Sequence, residues 1–167
     1  MELEKSNISK EIRKTIIELA HKSKSPHVGS SLSCVDILTV LYFDVLNLQP
    51  WEKRDIFILS KAHAAMSLYS TLATRGIMDK KLLHGYYQNE GTLPAHLDRF
   101  TAKGVEVSAG SLGHGFNMGL GMAFGFKKKK QDRKVYTLIG DGESQEGSIW
   151  EGALFGSKLG LDNFTAI

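Results

Sequence analysis

Residues 134–140 (KVYTLIG) form a short, mostly apolar run that ends against Asp141 and Gly142. This junction most constrains what the chain can fold into. A run of that length, rich in β-branched and aromatic residues, reads as a buried strand. A helix is predicted to follow it, from about residue 145 to 159. Two more runs have strand character, DIFIL at 55–59 and NFTAI at 163–167. Between them lie helical patterns. Ile8, Ile12, Ile16, Leu19 and Ala20 share one face of a helix over 7–21. The segment 23–31 breaks that helix with Pro26 and Gly29. Ser33 stands three before Asp36 and precedes ILTVLYFDVL, the pattern of a capping box opening a second helix. A third helix over 62–75 is stopped by Gly76, and Asp79 can cap a fourth running through Tyr87. Residues 88–110 read as loop with one strand around 105–107. A small-residue helix spans 113–126 and ends in the lysines 127–130, which suit the negative end of a helix dipole. Strands alternating with helices predict an α/β fold with a doubly wound, mainly parallel sheet and helices on both faces. In such sheets ligands sit beyond the carboxyl ends of the strands. That selects the loops after Leu59 and Gly140, and the chain end.

Composition narrows the function classes. The 167 residues suffice for one domain with a core, and no repeat or linker divides them. Apolar residues at 42% and charged residues at 23% exclude disorder. Twenty-one basic against 18 acidic residues leave +3, which calls for no nucleic-acid partner. The longest apolar stretch, 37–46, is too short to span a bilayer, and the charged N-terminus has no signal-peptide core. A single cysteine, Cys34, excludes an internal disulfide. It reads as a small core residue. A soluble, cytoplasmic single domain is expected.

Three groups of residues can carry chemistry. In Gly140-Asp141-Gly142-Glu143 the glycines let the backbone approach a ligand, and the following helix offers free N–H groups to phosphate. Asp141 is a hard oxygen ligand suited to Mg²⁺ bridged to phosphate. Two readings stand side by side: a metal–diphosphate site, or a tight turn in which Asp141 only caps the helix. The second group is 110–115 (GSLGHG) with Gly119 and Gly121. Its G-x-G-x-x-x-G spacing is one residue too long for the NAD fingerprint, and 107–109 makes a poor first strand. Close approach to a cofactor, or close helix packing at Gly119 and Gly121, fits better. The third group is four histidines beside small residues: His27, His63, His96 and His114. A histidine cluster suits proton transfer and sugar hydroxyl contacts. Each alone is equally readable as a surface or capping residue, as are His21 and His84. No i, i+4 histidine pair or thiolate set supports zinc.

In this order the motifs resemble the N-terminal, thiamine-diphosphate-binding section of transketolase, particularly in its split, two-polypeptide form. They are H-x-G-x-S-L-S at 27–33, L-S-K-x-H-A at 59–64, a histidine at 96, G-S-L-G-H-G at 110–115 and G-D-G-E-S-Q-E-G at 140–147. The resemblance implies that Asp141 ligates Mg²⁺ and Gly142 contacts the diphosphate. Gly110, Ser111 and Leu112 would line the aminopyrimidine and thiazolium, His63 would lie by the diphosphate, and Ser30 would touch the cofactor. His27 and His96 would bind ketose hydroxyls and help move protons. Glu146 would sit at a dimer interface in a carboxylate relay.

Three positions depart from the family pattern. Ala62 replaces a usual glycine, Leu97 follows His96 where proline is common, and His114 stands where glutamine is frequent. The resemblance also implies an asparagine as second metal ligand just after the strand at 163–167, where this sequence stops, and an activating glutamate in a pyrimidine-binding domain. The chain is therefore expected to be one diphosphate-binding domain lacking its C-terminal part, inactive alone. Activity would need a pyrimidine-binding C-terminal section in another chain, in a homo- or hetero-oligomer acting on a sugar phosphate. The alternatives are a deoxyxylulose-phosphate synthase, a non-catalytic assembly fragment and a keto-acid decarboxylating subunit.

Overall fold

The three apolar runs become three strands, and all pair in parallel. In the computed structural model, which describes residues 2–167, β1 (Ile56–Leu59) pairs with β2 (Val135–Leu138), and β2 with β3 (Phe164–Ala166). Ile56 stands opposite Val135 and Leu59 opposite Leu138, while Val135 faces Phe164. Before β1 and β2 begin, the Asp55 carboxylate accepts hydrogen bonds from the amides of Lys134 at 2.8 Å and Asn47 at 3.0 Å. This clamps the entry ends of the two strands in register. The parallel sheet and its helices make the expected α/β fold.

The contacts group into two units. One comprises Asn47–Ala62 and Ala109–Ile167; the other runs to Leu46 and takes in His63–Ser108. In the first, α5 (His114–Lys128) lies directly on the sheet. Its glycines permit the approach. A Cβ on Gly115 would stand 2.7 Å from the Ser60 backbone, and one on Gly119 would stand 2.6 Å from Thr137 Oγ1. Gly121, read from the sequence as a second packing glycine, faces open space instead. The helix α6 (Gly147–Lys158) packs on α5 through Gly152 and Gly156, against Leu120. Phe116, Leu120 and Ile149 form the apolar centre, with Phe116 meeting Phe164 edge-to-face at 5.3 Å.

The second unit is helical. The helix α1 (Glu2–Ser23) buries Ile12, Ile16 and Leu19, the expected stripe, and packs on α3 (Val35–Val40) and α4 (Ala65–Thr74). From Ala65 to Ala73, α4 is buried all round. Such a helix must satisfy its own polar groups. Ser67 Oγ donates to Ala64 O at 2.7 Å, and Thr71 Oγ1 to Ser67 O at 2.7 Å. Burial also pushes the Tyr69 phenol well above its ordinary pKa. Gly76, at φ +76°, stops the helix as predicted. Asp79 caps the 3₁₀ stretch Lys80–Gly85, accepting from Lys81 N at 2.9 Å.

Two sequence expectations fail here. Ser33 does not open a helix but ends α2 (Val28–Ser33). Its hydroxyl donates back to Ser30 O at 2.9 Å, so no capping box forms, and Cys34 separates α2 from α3. Cys34 is buried, with Sγ 3.2 Å from Ser67 Oγ. Residues 105–107 form no strand. Val105 and Val107 are buried as alternation suggests, but on a loop. Asp98 holds that loop, its carboxylate accepting from Phe100 N and Ser108 Oγ, and Gly104 turns it at φ +93°.

Among the described residues no helix is long and apolar enough to cross a membrane. The glycine contacts generate a paired prediction. Gly119→Ala should destabilise by about 1–3 kcal/mol, since the helix must back away from the sheet. Gly121→Ala should be neutral or stabilise by up to about 1 kcal/mol, because alanine is the better helix former. Urea unfolding of the two variants checks both signs.

Candidate functional site

At the carboxyl ends of β1 and β2 the chain leaves the sheet through Ser60 and Gly140, and a buried carboxylate joins them. Glu143 is 1% exposed. Its Oε1 accepts from Gly113 N at 2.8 Å and from Ser60 Oγ; its Oε2 accepts from Gly140 N at 3.1 Å. Ser60 Oγ in turn accepts from Phe116 N at 3.0 Å. Gly113 sits at φ +83°, where glycine is favoured, and precedes α5. A helix start presents unpaired N–H groups and positive partial charge. Here the Glu143 carboxylate takes the amide of Gly113 and the Ser60 hydroxyl that of Phe116.

The turn after Gly140 is different. Asp141 and Gly142 are exposed. Gly140 O and Asp141 O accept from Ser144 N at 3.0 and 3.2 Å, and Gly142 O accepts from Gln145 N at 3.2 Å. Among the described residues, no hydrogen bond of the turn uses the amide of Asp141 or Gly142 as donor. The stem of buried Lys61 lies beside Gly140, 3.7 Å from the position a Cβ would take there. Gly110 and Ser111 are exposed and Leu112 is half-buried on the loop leading to Gly113. Glu146 is exposed at the residue before α6, with its side-chain stem against Gly113. The buried glutamate thus ties together Gly113, which ends the 110–113 loop, Ser60 after β1, and Gly140 before Asp141, and Glu146 lies against Gly113. Sequence reasoning passed over Glu143 and Lys61. Their signal was only position: each lies a few residues past the end of a buried strand.

The other unit gathers histidines. His27 precedes α2 with φ 69° and ψ 24°, an unusual left-handed conformation for a residue with a side chain. Its ring centroid lies 5.1 Å from that of His63, just before α4, and 6.1 Å from that of His96 in the 88–108 loop. His27 and His96 are exposed, and His63 and Ser30 half-buried. Three of the four histidines singled out from the sequence thus form one cluster. His114, the fourth, is the exposed first residue of α5. Among the described residues no group of three or more His, Cys, Asp and Glu is arranged to hold a metal ion.

With this geometry in view, comparison with known proteins is decisive. Residues 4–167 match the family described as transketolase, thiamine diphosphate binding domain. The chain belongs to this family. It is 40% identical over 163 residues to an apulose-4-phosphate transketolase subunit of Phocaeicola vulgatus, covering 95% of this chain and 58% of that protein. It is 39% identical over 159 residues to a 6-deoxy-6-sulfo-D-fructose transketolase subunit of a Clostridium species, covering 93% of this chain and again 58% of the relative. Transketolase from Leishmania mexicana superposes with a TM-score of 0.86 at 27% identity, over 97% of this chain and 26% of that one. The chain therefore spans a little over half the length of these bacterial relatives and about a quarter of that solved transketolase. Membership assigns the fold as a thiamine-diphosphate-binding domain, the one the motif order resembles.

Gly113 is the most constrained position of the glycine loop. Beyond its positive φ, a Cβ there would stand 2.5 Å from Ser148 Oγ and 3.3 Å from Glu146 Cβ. Gly113→Ala should cost about 1–3 kcal/mol from backbone strain and displaced neighbours, read as a lowered thermal midpoint.

Proposed function

We propose that this chain is the N-terminal section of a split transketolase. It would bind thiamine diphosphate with Mg²⁺ and, with a pyrimidine-binding partner chain, transfer a two-carbon ketol unit between sugar phosphates. The observation that carries the reading is the clustering of His27, His63 and His96 from three separate segments of a family member. Imidazoles suit both hydroxyl recognition and proton movement near neutral pH. In this reading His27 and His96 hold the ketose hydroxyls and pass protons, while His63 lies by the diphosphate and Ser30 touches the cofactor.

The 140–142 turn fits a metal-bound diphosphate. Mg²⁺ takes one or two carboxylates and leaves the rest of its shell to water and phosphate oxygens. One exposed carboxylate, Asp141, and two amides not spent within the turn suit that demand. Gly142 supplies close backbone approach. Gly110, Ser111 and Leu112 line the cofactor's rings. When bound, the cofactor supplies a carbon nucleophile for the carbonyl of the donor sugar; the chain's residues bind, orient and move protons.

The partner is the C-terminal, pyrimidine-binding section on another chain, and Glu146 sits at a dimer interface in a carboxylate relay between paired sites. Two of the relatives are themselves called transketolase subunits. On α6, Trp150 is 62% exposed, Leu154 74% and Phe155 58%, a contiguous apolar face of the kind that marks a protein interface. The residues present constitute one diphosphate-binding domain, inactive without its partner and housed in the cytoplasm. No nucleic acid or membrane takes part.

Titration calorimetry on the chain together with its partner chain should show thiamine diphosphate binding that requires Mg²⁺. Asp141→Asn should weaken it at least about tenfold, as expected for loss of a metal-site contact. Binding indifferent to metal would sink the assignment of Asp141. With the partner present, His27→Ala and His96→Ala should each lower kcat/KM about 100-fold or more, the usual scale for proton-transfer groups. A reconstituted complex that turns over pyruvate but not ketose phosphates would move the chain to a decarboxylating or deoxyxylulose-phosphate-forming enzyme. No metal-dependent binding at all would leave it an assembly fragment.

A further inference from the structure

We infer that Glu143 is a positioning residue for the diphosphate-binding turn, acting as a built-in anion at the start of α5. This rests on the reading of the chain as a thiamine-diphosphate-binding section with its metal at Asp141. Glu143 is itself too buried to reach a ligand, being 1% exposed. What it touches are the segments that carry the candidate site: Gly113 at the end of the 110–113 loop, Ser60 after β1, and Gly140 immediately before Asp141. One carboxylate thus sets the spacing between the loop assigned to the cofactor's rings and the turn assigned to its diphosphate.

The chemistry of the three ties requires an acceptor on both oxygens. Gly113 and Gly140 present N–H groups, which can only donate. The Ser60 hydroxyl accepts from Phe116 N, which leaves its proton for Glu143. A glutamine has the same shape but one acceptor oxygen and one NH₂. In one orientation its NH₂ meets the N–H of Gly140; in the other it meets Gly113. Either way at least one tie becomes a donor–donor contact in a buried place, and one loop moves relative to the other. Glu143 and Ser60 take the amides of Gly113 and Phe116, while no hydrogen bond within the adjacent turn uses the amides of Asp141 and Gly142.

The test compares wild type, Glu143→Gln and Ser60→Ala, each assembled with the partner chain. Thiamine diphosphate and Mg²⁺ are titrated by calorimetry, and amide hydrogen exchange at Gly113 and Gly140 is followed in the cofactor-free protein. We expect E143Q to bind about 10- to 100-fold more weakly, the usual effect of removing a group that orients a ligand-binding residue. Exchange at Gly113 or Gly140 should accelerate in the cofactor-free protein. A residue that served stability alone would lower the thermal midpoint and leave the Kd of the folded protein unchanged, and that result overturns the proposal. Should E143Q fail to fold, S60A decides. Weaker binding with faster exchange at Phe116 supports the inference, and unchanged binding overturns it. If wild type binds no thiamine diphosphate, the functional reading fails and takes this one with it; if wild type binds and E143Q binds equally, only the positioning role fails.

Discussion

A buried carboxylate is tolerable only when every donor around it is committed, and Glu143 imposes that condition on much of the sheet-bearing unit. Its three donors come from positions 60, 113 and 140, so β1, α5 and β2 must all arrive in one arrangement or leave a charge stranded. Other features follow from this requirement. Gly113 takes a left-handed turn because its amide has to point at the carboxylate. Gly115 lacks a side chain because Ser60 sits against it while serving both Phe116 and Glu143. The 60–61 and 140–142 turns stand at the carboxyl ends of neighbouring strands, where parallel sheets present their ligand sites. Asp55 performs a similar service at the opposite ends of β1 and β2.

Elements with strong local signals were legible in the sequence. The three strands fall within a residue or two of the apolar runs, the α1 stripe is buried, Gly76 ends α4 and Asp79 caps the stretch after it. The misreadings share a cause, which is that a local pattern had two possible partners. Ser33 has both a capping sequence ahead of it and a carbonyl behind it at Ser30, and the carbonyl wins. Val105 and Val107 alternate like a strand, yet they are buried on a loop held by Asp98 and join no strand ladder. Gly121 has the spacing of a packing residue and lies on the outer side of α5.

The candidate site was legible as a set of residue types, less so as a set of contacts. His27, His63 and His96 are far apart in sequence, and only their small-residue surroundings marked them out; the fold supplies their proximity. Asp141 stood out because it lies between two glycines directly after a buried strand, although the sequence left a helix-capping role equally open. Glu143, two residues on, was hidden. A glutamate at the start of a helix usually faces water, and no sequence rule distinguishes it from exposed Glu146 three residues later. The difference between them comes from which one points under the glycine loop, and that is a tertiary fact.

The backbone of His27 carries a consequence for the codon that specifies it. Its left-handed φ and ψ are tolerated by glycine, asparagine, aspartate and histidine far better than by other residues. From a histidine codon, one base change reaches asparagine, aspartate, tyrosine, leucine, proline, arginine or glutamine. Only the first two suit the local conformation, and neither carries an imidazole. Drift at position 27 can therefore keep the turn at the head of α2 or the ring against His63, but no single nucleotide change that alters the residue keeps both.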